Sequence, residues 1–153
     1  MKLLECTSPA RGKWRVRWDV QVREDGSADY MEEEFSDGCP SAETVKSLIT
    51  NWQNRQTDEA IRSGFAYEGA PVWLSQENQH NYKAAYDLAV QTGGKNLPVT
   101  FKFGTDEEPV YRTFTSLEEL ADMYTKALQH VQDTLAKGWK KKDAFNLEEY
   151  RIE

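Results

Sequence analysis

Lys13-Trp14-Arg15-Val16-Arg17-Trp18-Asp19-Val20-Gln21-Val22-Arg23 alternates without a break. Trp14, Val16, Trp18, Val20 and Val22 fall on one side; Lys13, Arg15, Arg17, Asp19, Gln21 and Arg23 fall on the other. Successive side chains of a strand point to opposite faces, so this period of two predicts a strand with one buried and one solvated face. Trp14 and Trp18 are then core residues, and Arg15 and Arg17 are exposed. Asp25-Gly26 follows, and a glycine that accepts positive φ suits a two-residue hairpin turn, although a longer loop stays open. With the turn at that tip, Val20 faces Met31, Val16 faces Phe35 and Arg17 faces Glu34, while Asp19 meets Glu32 as a like-charge pair. A hairpin over 13–36 is expected.

Beyond it, Ser36-Asp37-Gly38-Cys39-Pro40 reads as a turn and Ser41 as the cap of a helix carrying Val45, Leu48, Ile49 and Trp52. The polar run from Gln53 to Asp58 either breaks this helix, with Thr57 capping a second piece, or carries it through solvent. Gly64 is its expected end. Phe65 to Leu74 reads as extended chain with a turn at Glu68-Gly69. Ser75 caps a helix that presents Tyr82, Ala85, Tyr86 and Ala89 on one face, stopped by Gly93-Gly94. Val99, Phe101 and Phe103 mark a strand whose antiparallel partner is Val110 to Phe114. Thr115 or Ser116 then caps a long last helix, with Glu118 and Glu119 at its positive end. Leu117, Ala121, Tyr124, Leu128, Val131 and Leu135 form a heptad seam along it. The repeat is short for a coiled coil, so the seam, Leu128 included, is expected to pack on strands 98–103 and 110–114. Gly138 is the expected helix stop. The elements together predict an α+β fold, as a single domain over 1–153.

Composition agrees. A chain of 153 residues suits one domain, and five Trp, seven Tyr and six Phe offer a core although only 39% of residues are hydrophobic. A net charge of −7 opposes non-specific nucleic-acid binding. No run of 18 apolar residues occurs, and Met1 to Cys6 lacks a signal peptide's apolar core. A cytoplasmic chain that binds neither nucleic acid nor membrane is expected.

No pattern of residues carries a known chemistry. Cys6 and Cys39 are too few and too distant for a zinc site or a disulfide framework, and read as reduced thiols. His80 and His130 stand alone on separate helices and read as exposed polar residues. Asp106-Glu107-Glu108 and Glu32-Glu33-Glu34 read as solubilising acids, because acid–base catalysis needs a carboxylate held in a shaped pocket. Trp14 and Trp18 interleave with Arg15 and Arg17 as in single-strand binders, but alternation sends them to opposite faces. Catalytic, cofactor and metal residues are therefore expected to be absent. Two stretches remain as a candidate interaction surface: Gln76, Asn78, Gln79 and His80 in the amide-rich segment after Trp73, and Trp139, Lys140 and Lys141 in the basic segment 137–142. The first also reads as a strand-to-helix junction, the second as the cationic end of a helix.

Gly64-Phe65-Ala66-Tyr67-Glu68-Gly69, Val72-Trp73-Leu74-Ser75-Gln76-Glu77-Asn78-Gln79 and Tyr82 occur in order with Leu97-Pro98-Val99-Thr100-Phe101-Lys102, Tyr111, Phe114 and Gly138-Trp139-Lys140-Lys141-Lys142-Asp143. Over residues 57–145 this resembles a domain of unknown function found in tailed-phage and prophage proteins, often associated with tail fibres. The resemblance implies a non-enzymatic phage or prophage protein that contacts tail or assembly proteins, virion-associated or an assembly factor, with self-association open. The alternatives are a small phage enzyme or lysis factor whose site forms only in three dimensions, and an acidic mimic of nucleic acid.

Overall fold

A computed structural model describes residues 1–151 and has the α+β composition expected. Its packing divides the chain into two compact units, residues 1–53 with 141–153, and residues 54–140. The single-domain expectation did not include this division.

The first unit is built on a three-stranded antiparallel sheet of β1 (Leu4–Ser8), β2 (Lys13–Val22) and β3 (Ala28–Phe35), with β2 in the centre. β1 has no alternation long enough to announce it; it exists because β2 offers it an edge, pairing Leu4 with Val16 and Cys6 with Trp14. The hairpin forms in a different register from the one expected. Trp14 faces Phe35, Arg15 faces Glu34, Arg17 faces Glu32 and Trp18 faces Met31. Two local features account for the shift. The loop holds three residues, Glu24 to Gly26, closed by Gly26 N–H to Arg23 O and Arg23 N–H to Ser27 O, with Gly26 at φ +86°. A bulge at Asp19-Val20 then inserts one more residue, and Asp19 takes φ +52°, which Asp tolerates better than most side chains.

Burial follows the alternation only up to the bulge. Val16 and Trp18 are buried, Trp14 is half-buried and Val22 is 74% exposed. The arginines also depart from expectation. The Arg17 side chain is only 12% exposed, and both it and Arg15 are flanked by Glu5 from β1 and Glu32 from β3. The inner face packs on the start of α1 (Ala42–Ser63), where Val45, Leu48, Ile49 and Trp52 lie as the spacing predicted, and Trp18 meets Trp52 edge-on at 6.2 Å. A C-terminal 3₁₀ turn (Leu147–Tyr150) completes this core, and the buried Tyr150 donates its hydroxyl to Arg17 O at 2.7 Å.

Helix α1 does not break at the polar run. Ser41 Oγ accepts the Thr44 N–H, and the helix continues for 22 residues to Ser63, because Gln, Arg and Glu are good helix formers. Thr57 is therefore interior and caps nothing.

In the second unit, β4 (Phe65–Tyr67) and β5 (Ala70–Val72) make a hairpin whose turn residues, Glu68 and Gly69, both have positive φ. Ser75 Oγ accepts the Asn78 N–H and starts α2 (Gln76–Thr92), and Gly93 ends it in the left-handed conformation. β6 (Val99–Gly104) and β7 (Pro109–Phe114) pair antiparallel as expected, Val99 with Phe114 and Phe103 with Val110. Ser116 Oγ accepts the Glu119 N–H while Glu119 returns a carboxylate oxygen to Thr115 N–H, opening α3 (Leu117–Asp143). Phe103, Phe114, Leu120, Met123, Ala127, Tyr82 and Leu74 form the centre of the core.

Helix α3 corrects two expectations. Its buried row is Leu120, Met123 and Ala127, one residue before Ala121, Tyr124 and Leu128 of the expected seam. One residue turns a helix by about 100°, so the seam is the flank of the apolar stripe and not its centre. Leu117, Tyr124, Val131 and Leu135 are half-buried there, and Leu128 is 43% exposed. Gly138 is not a stop. It lies buried inside the helix where a Cβ would overlap Thr57 of α1, so its missing side chain permits close helix contact.

Candidate functional site

The flank of α3 that the core leaves uncovered forms one wall of a groove, and α2 forms the other. On α2, Gln79, Tyr82, Lys83 and Tyr86 recur at helical spacing; on α3, Tyr124, Ala127, Leu128 and Val131 do the same. The groove has a volume of about 300 Å³ and is lined by Leu74, Tyr82, Tyr124, Ala127, Leu128 and Val131, with Gln79, His80 and Lys83 as its polar members. Tyr86 stacks on Tyr124 with centroids 4.9 Å apart, which ties the two helices together.

The polar groups are unequal. Gln79 donates its amide to Leu74 O at 2.9 Å, and Asn78 donates its own to Trp73 O at 2.7 Å, so both fasten the strand-to-helix junction. Lys83 is paired with Asp87 at 2.6 Å, and this carboxylate raises its pKa. Both partners are well exposed, so the pair is weak. Tyr82 is only 5% exposed, and its hydroxyl makes no hydrogen bond to another described residue. Burial pushes its pKa up, which keeps it a neutral donor.

Of the expected interaction surface, Gln79 and His80 line the groove. Gln76 is exposed in the first turn of α2, and Asn78 is committed to backbone. Trp139, 59% exposed, lies with Lys140 and Lys141 near the end of α3, and none of the three lines the groove. Tyr82, Tyr124, Leu128 and Val131 of the groove were legible in helical rows; the part of Leu74 and Ala127, and the meeting of the two rows, were not, because they depend on how α2 packs on α3.

Other titratable groups are engaged in structure. Tyr67 donates to Asp122 Oδ2 at 2.8 Å, and Lys126 donates to the same oxygen at 3.0 Å. Burial, then this hydrogen bond, pushes Tyr67 up to about 12, while Tyr67 and Lys126 hold Asp122 below its usual range. Arg112 grips Glu68 with two hydrogen bonds and approaches Glu119 at 3.7 Å. Each carboxylate in this set already has a cation or a donor.

His130 was expected to be an exposed polar residue and is not. It is half-buried, with Nε2 3.1 Å from Ala60 O and 3.3 Å from Ile61 O, so its ring N–H covers carbonyls at the end of α1. His80 is exposed. Cys6 and Cys39 are unpaired, and burial raises the Cys39 thiol. Among the described residues no group of three or more His, Cys, Asp or Glu side chains could hold a metal ion, and no helix is long and apolar enough to cross a membrane.

Residues 45–153 match the model of a family described as a domain of unknown function, DUF4376. No curated protein and no solved structure matches the chain.

Proposed function

The chain belongs to the DUF4376 family of domains of unknown function, and from the surface of its second unit we propose that it is a non-enzymatic protein acting by protein–protein contact. The observation that carries this reading is the open α2–α3 groove with Leu128 43% exposed on its wall. Full burial of a Leu side chain is worth about 1.5–3 kcal/mol, and part of that remains for an occupant to recover. An amphipathic helix laid into a two-helix groove is a recurrent mode of recognition. The paired state of the carboxylates around Tyr67 and Arg112 favours contact over acid–base chemistry. The resemblance of the Gly64–Tyr82 segment to tailed-phage and prophage proteins makes a tail or tail-assembly protein the partner class.

The test is co-purification of the chain with the products of the genes that flank its own. A complex with a tail or assembly protein, present with the native chain and lost in a folded Leu128→Glu variant, is the expected result. Complexes with none of those products, or complexes indifferent to Leu128→Glu, would overturn the reading.

A further inference from the structure

We propose that Cys6 and Cys39 are a redox-sensitive pair that closes as an intrachain disulfide and clasps β1 to the loop before α1. The site lies wholly in the first unit and is independent of the α2–α3 groove. Residues directly opposite one another in a sheet share a face, so Cys6, opposite Trp14, and Leu4, opposite Val16, lie on the inner face with the core. Cys39 reaches the same place from the other direction. Gly38 N–H donates to Gly12 O at 2.9 Å, which holds the 36–40 loop at the β1–β2 end of the sheet. Cys39 then lines a cavity of about 340 Å³ with Leu4, Ala42 and Val45, while Cys6 and Leu4 line the neighbouring cavity with Trp14. Leu4 thus borders both thiols. They are near enough to repel as thiolates: burial first, and the Cys6 sulfur second, raise the Cys39 pKa above its ordinary value.

Both thiols are available. Cys39 is exposed and its Sγ makes one long contact, 3.5 Å to Pro40 O; Cys6 is half-buried. A disulfide needs Cα atoms about 4.4–6.8 Å apart, and Gly38, at φ +91° with open space around it, lets the loop supply the last adjustment. The oxidant is a small disulfide of the glutathione class. The exposed Cys39 thiol loses its proton and attacks one sulfur of that disulfide; an S–S bond to Cys39 forms and one small thiolate leaves. The Cys6 thiolate then attacks the Cys39 sulfur and expels the second. One small disulfide and two protein thiols become one protein disulfide and two small thiols, and two electrons pass from the cysteine sulfurs to the oxidant. Only the thiolate is the nucleophile, so the raised Cys39 pKa makes closure slow near neutrality and faster as pH rises toward that pKa. The bond takes freedom from the unfolded chain and gives β1, a strand that pairs only with β2, a second anchor.

The experiment equilibrates the whole chain with reduced and oxidised glutathione at set ratios, in native buffer and in urea. Each sample is quenched with acid for thiol counting, mass measurement and peptide mapping. Both thiols are expected to disappear together, the monomer mass to fall by two hydrogens with no glutathione retained, and one cross-linked peptide to contain both cysteines. The thermal midpoint should rise by about 5–15 °C and return on reduction. A bond that stabilises the fold must itself be favoured by the fold, so half-closure in native buffer should need at least about tenfold less oxidising conditions than in urea. Cys6→Ser and Cys39→Ser chains, with one thiol each, should hold a glutathione adduct and show no such rise. Stable adducts on the native chain, cross-links between chains, or closure no easier in native buffer than in urea would overturn the pairing. An internal disulfide that leaves the midpoint unchanged would overturn the clasp.

Discussion

Gly138→Ala should destabilise this protein, against the ordinary rule for helices. Alanine in place of glycine inside a helix normally gains about 1 kcal/mol, from backbone entropy alone. Here the added Cβ would overlap Thr57 Oγ1 and stand 2.9 Å from Thr57 Cγ2 and 3.2 Å from Thr57 Cβ. Threonine is branched at Cβ, so rotation about χ1 exchanges one heavy atom for another and does not clear the space. The helices must part by a few tenths of an ångström, and overpacking of this kind costs about 1–3 kcal/mol. The net expectation is a loss of up to about 2 kcal/mol once the helix gain is subtracted. Urea unfolding of four chains measures it: native, Gly138→Ala, Thr57→Ala, and the double variant. The cycle should show a coupling of about 1 kcal/mol or more, with Gly138→Ala less harmful once Thr57 is shortened. A gain of about 1 kcal/mol from Gly138→Ala in the native background would refute the close contact and return Gly138 to an ordinary helix position.

Trp18, buried at the centre of the first unit's sheet, should cost about 3–5 kcal/mol on truncation to alanine, seen as a lowered denaturant midpoint; an unchanged midpoint would place it outside the core. Leu128→Glu should leave the circular dichroism melt within a few degrees of native, whereas Leu120→Glu, at a fully buried site, should unfold the chain; equal collapse of both would restore Leu128 to the core. The Asp122 carboxyl is held below its ordinary value of 3.8 by Tyr67 first and Lys126 next. Its folded pKa lies under its unfolded one, so its stabilisation is complete above about pH 4 and disappears as pH falls through the lowered value. Tyr67→Phe should move the Asp122 titration, followed by carboxyl NMR, back up toward 3.8; an unmoved titration would show that Lys126 alone sets it.

Features set by neighbouring residues were visible in the sequence. Alternation from Lys13 to Trp18 makes a strand because its side chains must point to opposite faces, whatever pairs with it. Ser41, Ser75 and Ser116 start helices because each hydroxyl reaches an N–H three residues on, and Gly93 stops one because it takes positive φ freely. The β6–β7 hairpin was legible for the same reason: its strands and its turn lie within sixteen residues, Val99 to Phe114.

What the tertiary structure decided depends on groups distant along the chain. Periodicity showed one apolar seam along α3, through Ala121, Tyr124 and Leu128, but packing chose Leu120, Met123 and Ala127 for the core and left Leu128 on the wall of a groove. Gly138 read as a helix stop because glycine usually is one; the Thr57 side chain on another helix gave it a different task. His130 reaches carbonyls 69 and 70 residues away, and the Tyr150 hydroxyl reaches one 133 residues away. No local spacing encodes such pairings. The hairpin register belongs with them: a one-residue bulge at Asp19-Val20 has little local signature, yet it displaces every cross-strand pair beyond it. Local sterics determine which segments become strands and helices; long-range packing determines which of their faces remain free to meet a partner.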